Sequence, residues 1–131
     1  MMNVPTLTLT VPVPPSLNHA YTNGRGHGRR VLSKEGRDYK ATVAELMLCR
    51  ARPAGGFELA INQPKPRIGM HLRLWFSNRQ RRDITNCVKL LEDALSEALG
   101  FDDCNVDRLF VERAGYDAAQ PRCEVVIEVL G

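Results

Sequence analysis

The residues best suited to chemistry lie in two short blocks. Arg79-Gln80-Arg81-Arg82 runs directly into Asp83, and Thr85, Asn86 and Lys89 follow. Twenty residues beyond Asp83 stands Phe101-Asp102-Asp103. Carboxylates are the oxygen donors that hard divalent cations take. Arginines beside the positive end of a helix attract a phosphate. A lysine close to both can contact that phosphate or steady a leaving oxygen. These types suit a divalent cation and a phosphate group. Each residue also has an ordinary role. Asp83 is a good helix cap, Asp102-Asp103 suits a solvated turn, and Lys89 suits an exposed helix face.

These blocks need a helix between them, and the sequence supplies one over residues 83–99. At about 100° per residue, Ile84, Cys87, Val88, Leu91, Ala94, Leu95, Ala98 and Leu99 fill one arc. Thr85, Asn86, Lys89, Glu92, Asp93, Ser96 and Glu97 fill the other, and Gly100 is a fitting terminator. Such a helix is about 25 Å long. Asp83 and Asp103 therefore meet only if the chain turns back, along a strand starting near Val106, or if a partner subunit supplies the second carboxylate. The sequence leaves both routes open.

The remaining elements follow from periodicity. Leu7, Leu9, Val11 and Val13 alternate with polar residues and Pro12, which reads as a strand ended by Pro14-Pro15-Ser16. Residues 16–30 read as an irregular loop in which Gly24, Gly26 and Gly28 are spaced by Arg25, His27 and Arg29. Val31 and Leu32 suit a short strand or turn. Ser33 caps a helix from Lys34 to about Ala51, which Pro53-Ala54-Gly55-Gly56 ends. Residues 57–67 fit no single element. Ile68, Met70, Leu72, Leu74 and Phe76 alternate cleanly, the strongest strand in the chain. Two last strands are expected over 106–114 and 123–130, the second carrying Val126 on its other face and thus covered on both sides.

With 131 residues, 44% of them apolar, the expectation is one globular domain over the whole chain. No apolar run reaches the ~18–20 residues of a membrane span, and no secretory pattern opens the chain. A cytoplasmic protein with no membrane partner is the expectation. The net charge of +3 conceals a split: residues 1–82 carry 14 Lys/Arg against 4 Asp/Glu, and residues 83–131 carry 4 against 11. A basic half suits a phosphate backbone, and an acidic half can supply metal ligands. Cys49, Cys87, Cys104 and Cys123 are too far apart for a zinc ribbon. They read as reduced thiols, with Cys49, Cys87 and Cys123 as core filler. His19, His27 and His71 form no ligand pattern, and His71 suits a surface or interface.

Taken in order, four blocks resemble the RusA family of Holliday-junction resolvases. They are Pro14-Pro15-Ser16-Leu17-Asn18 with Tyr21; Val31 and Ser33-Lys34-Glu35-Gly36 with Tyr39; Arg81-Arg82-Asp83-Ile84-Thr85-Asn86 with Lys89 and Asp93-Ala94-Leu95; and Gly100-Phe101-Asp102-Asp103 with Val106. The resemblance implies an α+β fold with a small mixed β-sheet and two main helices, in an intertwined or two-fold symmetric homodimer. It implies an endodeoxyribonuclease that cuts four-way junctions by paired nicks. By the same resemblance Asp83 and Asp103 match the carboxylates that hold Mg²⁺ (or Mn²⁺), with Asp102 beside them, and Asn86 and Lys89 match the motif's Asn and Lys.

Thr85 stands where the family motif, Asp-x-Asp-Asn, has its second Asp. A threonine hydroxyl is a neutral and weaker ligand than a carboxylate. Asp102 can take over, Thr85 can hold a metal-bound water, or the protein binds junctions and cuts them poorly. Retained activity is the expectation, because the other motif residues are present. Catalytic roles fall to Asp83, Asp103 and Lys89, and metal contacts to Asp83, Asp103, Asp102 and Thr85. DNA contacts are assigned to Asn18, Tyr21, Arg25, Arg29, Arg30, Lys34, Arg79, Arg81, Arg82, Asn86 and Lys89. Phosphate contacts should make binding steeply salt-dependent. Two rivals stand beside this reading: a junction-binding protein without cleavage, and an interaction module with no nucleic-acid role and little salt dependence.

Overall fold

A computed structural model describes residues 4–23 and 30–131, without the side chains of residues 17, 18, 23 and 30. Its centre is a five-stranded mixed sheet. β1 (Thr6–Val11), β4 (Arg52–Ala54), β5 (Arg67–Phe76), β6 (Val106–Tyr116) and β7 (Arg122–Leu130) lie in the order β4-β1-β7-β5-β6. Only β5 and β6 run parallel. Strand alternation sorts the sheet into two faces. Ile68, Met70, Leu72, Leu74 and Phe76 of β5 and Cys123, Val125, Ile127 and Val129 of β7 are buried. Between them His71 and Arg73 are exposed, while Glu124, Val126 and Glu128 are half-buried. The Val126 side of β7 is thus the more open one.

The buried face packs against two long helices, α2 (Lys34–Arg50) and α4 (Thr85–Leu99). Leu90, Leu91, Ala94 and Leu95 of α4 and Tyr39 and Val43 of α2 enter the same core as the strand residues. Each large aliphatic side chain so buried stabilises the fold by about 1.5–3 kcal/mol. Because β5 and β6 are parallel neighbours, α4 is the crossover between them and runs back against both. It starts where β5 ends and finishes where β6 begins. Gly100 makes that reversal at φ +77°, a left-handed conformation that suits glycine, and its N–H donates to the Ser96 carbonyl at 2.8 Å. Phe101, 8% exposed, then anchors the chain.

Three stretches differ from the sequence expectation. Residues 52–54, read as a helix-ending connection, form edge strand β4, paired antiparallel with β1. Pro53 is tolerated there because an edge strand leaves one side of its backbone unpaired. Residues 57–61 form the short helix α3 (Phe57–Ile61), which buries Phe57 and Ile61. The loop expected over 16–30 contains α1 (Leu17–Ala20), and β2 (Tyr21–Asn23) paired with β3 (Arg30–Leu32). Residues 24–29, and with them Arg25, His27 and Arg29, lie outside the described residues.

Ser33 caps α2 by accepting from the Gly36 N–H at 3.0 Å, while its hydroxyl donates to the His19 carbonyl at 2.6 Å. A Cβ on Gly36 would stand 2.5 Å from the Ala20 carbonyl oxygen. The α2 start and the end of α1 therefore approach too closely for any side chain there. All four cysteines are free, with Cys87 and Cys123 buried. Burial pushes the Cys123 thiol up to about 12, which leaves it unreactive. Cys49 is exposed, so core filling does not describe it; its position falls on the outer side of α2. Among the described residues no helix is long and apolar enough to cross a membrane.

Candidate functional site

The turn after β5 is held by stacking. Arg82 lies over Phe76, with its guanidinium carbon 4.6 Å from the ring centroid, and bonds both oxygens of Asn78 at 3.0 and 3.2 Å. Arg113 of β6 shares that ring at 5.6 Å and donates to the Arg82 carbonyl at 2.6 Å. Arg79 lies over Tyr116 at 4.9 Å. Each cation–π contact contributes about 0.5–1 kcal/mol at an exposed site. None of these contacts neutralises the arginine charge, so the cations remain available to an anion.

Asp83 follows this turn, but it does not cap α4. Ile84 holds the cap position in helical conformation and makes no side-chain cap. Asp83 enters the helix through its backbone carbonyl, which accepts from Asn86 at 3.1 Å. Its carboxylate is exposed and makes no hydrogen bond or ion pair among the described residues. It lines a cavity of about 440 Å³ together with Arg81, Arg82, Asn86, Ser16 and Phe76. Cations, a free carboxylate and an amide thus share one opening.

A second cluster sits further along α4. Lys89 donates to Asp93 at 3.1 Å and stands 3.8 Å from the Asp103 carboxylate. Tyr21 donates to the other Asp93 oxygen at 3.0 Å. Asp93 is 16% exposed by side chain, against 43% for Asp103. The hydrogen bond to Asp93, aided by the Asp93 and Asp103 charges, raises the Lys89 ammonium above its usual range. Burial and the neighbouring Asp103 and Asp93 charges push the Glu92 carboxyl up. Burial and Asp93 do the same for the Tyr21 phenol. Carboxylates converge here around one ammonium ion.

The sequence candidates separate accordingly. Asp103 is carried back along α4 to Lys89 by Gly100 and the 3₁₀ turn Asp103–Asn105. Asp102 accepts from the Cys104 N–H at 3.1 Å, and this contact holds its carboxyl below the usual range. Asp83 belongs to the other opening, and no hydrogen bond or ion pair joins it to Lys89 or Asp103. Asp83 precedes α4, and Lys89 lies four residues, about 6 Å of helical rise, beyond its first residue Thr85. Thr85 is exposed and lines a groove with Lys89, Glu92, Leu109 and Val111 rather than the Asp83 cavity. Among the described residues no group of three or more His, Cys, Asp or Glu is placed to hold a metal ion.

Of the expected DNA contacts, Arg79, Arg81 and Lys34 are exposed, with Lys34 paired to Asp38 at 2.9 Å. Arg30 opens β3 and Asn18 lies in α1; their side chains, like all of Arg25 and Arg29, fall outside the described residues. Sequence reasoning passed over Asp93 as the partner of Lys89. The signal was there, since Lys89 and Asp93 are four apart on the polar arc.

Comparison with known proteins identifies the family. The family pattern described as Endodeoxyribonuclease RusA matches residues 11–128. A "Crossover junction endodeoxyribonuclease RusA" from Escherichia coli K12 is 36% identical over 104 residues, 77% of each chain. Proteins of the same name from Enterobacteria phage 82, at 36%, and Shigella sonnei, at 35%, cover the same share. Tyr21, Lys89, Asp93 and Asp103 come from three separate stretches that meet only in the folded chain, and the family match spans them all. The chain belongs to the RusA family of endodeoxyribonucleases.

Proposed function

We propose that this protein, acting as a single-domain homodimer, resolves four-way DNA junctions by paired, Mg²⁺-dependent nicks. One observation carries the reading most directly: Asp103 is folded back along α4 to Lys89, beyond an arginine turn whose charges are unneutralised. A lysine between carboxylates, next to a cationic surface, suits a site that must receive a phosphate. The names of the relatives, crossover junction endodeoxyribonucleases, favour the same substrate.

Mg²⁺ commonly takes one or two protein carboxylates and completes its octahedron with water and substrate phosphate. Asp83 and Asp103, at separate openings of the chain, would supply that partial donor set if brought together on the ion, with Asp102 and the Thr85 hydroxyl as lesser contributors. When bound, the ion would polarise the phosphoryl oxygen and lower the pKa of a bound water. Lys89 contacts the scissile phosphate or the departing oxygen. Arg79, Arg81, Arg82, Lys34 and Asn86 grip neighbouring phosphates, together with Asn18, Tyr21, Arg25, Arg29 and Arg30. Two symmetric cuts require two sites, which a two-fold dimer provides.

The test is a labelled synthetic junction incubated with the protein and Mg²⁺. Symmetric nicks, lost in Asp83→Asn with binding retained, support the reading. Parent-rate nicking by that variant removes Asp83 from the chemistry. A second reading is favoured by Thr85, whose neutral hydroxyl stands in a different groove from Asp83. It predicts salt-sensitive retention of the junction without nicks.

A further inference from the structure

Among the described residues β6 is the outer strand of the sheet, bonded only to β5. Its other edge meets no described strand over its 11 residues. Proteins usually blunt such edges with proline, inward charges or brevity. This strand contains no proline and exposes Leu109 at 44%, Phe110 at 46% and Tyr116 at 40%. The register shifts near its two ends, opposite Ile68/Gly69 and Leu74/Trp75, leave residues 108–113 as one regular run.

The side chains of that run are complementary to themselves. In an antiparallel ladder, opposed residues share a face, so a two-fold axis must pass at a residue rather than between two. An axis at Phe110 sets Arg108 opposite Glu112 and Leu109 opposite Val111. Moving the axis to Leu109 sets Phe110 against Arg108, and moving it to Val111 sets Phe110 against Glu112. Only the Phe110 register matches charge with charge and apolar with apolar. Arg108 makes no ion pair among the described residues, whereas Glu112 is paired with Arg73 and Asp107 with Arg67. Glu112 is partly exposed, at 38% by side chain, and can accept a second cation.

We propose that β6 adds to β6 of a second copy of this chain, antiparallel about a two-fold axis at Phe110, joining two five-stranded sheets into one. This rests on the homodimer reading above and specifies its contact surface. Phe110 then meets its symmetry mate on the open face, each lying against its own His71, whose ring centroid is 4.8 Å away. On the other face Leu109 and Val111 border a groove of about 460 Å³ against Ile84 and Val88 of α4. The added strand covers the outer border of that groove. Backbone hydrogen bonds supply adhesion and the charge pairs fix the register.

The test measures the mass of the full chain in solution and maps the contact by cysteine pairing. Phe110→Glu sets two carboxylates against each other across the axis. It should turn the dimer into a monomer with unchanged circular dichroism. In a Cys49→Ser, Cys104→Ser background, Phe110→Cys should form an intermolecular disulfide on mild oxidation, because directly opposed residues come close enough. Arg108→Cys alone should not cross-link, but should do so when mixed with Glu112→Cys. A parent dimer that persists in Phe110→Glu, or that leaves Phe110→Cys uncross-linked, overturns this interface and leaves the homodimer standing. A parent chain that is monomeric overturns both.

Discussion

The two stretches of α4 that face solvent solve opposite electrostatic problems. At its start, cations are held by aromatic rings and by backbone oxygens, so their charge stays unspent. Beside them the Asp83 carboxylate is tied to nothing among the described residues. Two turns on, carboxylates crowd together beside one ammonium ion, with Glu92 pushed up by burial and then by its acidic neighbours. The first region is arranged to receive negative charge from outside. The second already balances most of its own. Disturbing the first should therefore change how the protein acts on DNA, while disturbing the second should also change the protein itself.

The sharpest break of that contrast is Asp83→Asn. It should lower junction cleavage by about three orders of magnitude, the several kcal/mol a positioned metal contributes. Melting temperature should stay within about 1 °C, since Asp83 makes no cap. Cleavage assays and thermal denaturation on one preparation check both halves. Lys89→Met, in the second region, should cost about 10²-fold in cleavage and also push the Glu92 carboxyl further up. NMR titration of the Glu92 side chain reads the second effect, and an unmoved titration would show that Lys89 does not balance this cluster.

Gly36→Ala strikes the support beneath both regions. Its methyl must displace the Ala20 carbonyl, next to Tyr21. Overpacking of this kind costs about 1–3 kcal/mol, seen as a fall of several degrees in Tm. Arg81→Gln tests the first region alone: junction affinity should weaken several-fold and the salt slope should fall by about one. The smallest effect belongs to Glu92→Gln. A carboxyl whose folded pKa is raised contributes stability below its unfolded value, about 4.3, and loses it as pH rises through the folded value. The variant should thus match the parent near pH 3 and melt about 1–3 °C higher at pH 7. A gap that widens toward acid would reverse the assigned sign.

Much of this layout was legible before folding. The long periodic elements, 34–50, 67–76, 85–99 and 122–130, stand where apolar spacing put them, because their own burial determines them. The short pieces were not legible. β4 is a strand only because β1 offers it an edge, and β2 only because β3 faces it; three-residue pairings leave no period to read. The site divides the same way. The sequence offered a turn back toward Asp83 as one of two routes for Asp103; the observed turn, marked by Gly100, brings Asp103 to Lys89 instead. That Ile84 rather than Asp83 takes the cap position depends on a local backbone angle, which residue preference does not decide. The part of Asp93 was half legible: its spacing from Lys89 could be read, but its second bond comes from Tyr21, 72 residues away.

Trp75, the only tryptophan of the chain, lies between the guanidinium groups of Arg73 and Arg122, at 5.0 and 4.3 Å from its ring. Arg73 also pairs with Glu112, on the outermost strand. An intrinsic fluorophore is thus wired through one side chain to the rim of the sheet. Emission at the red edge of its spectrum can report, without any label, when that rim changes company.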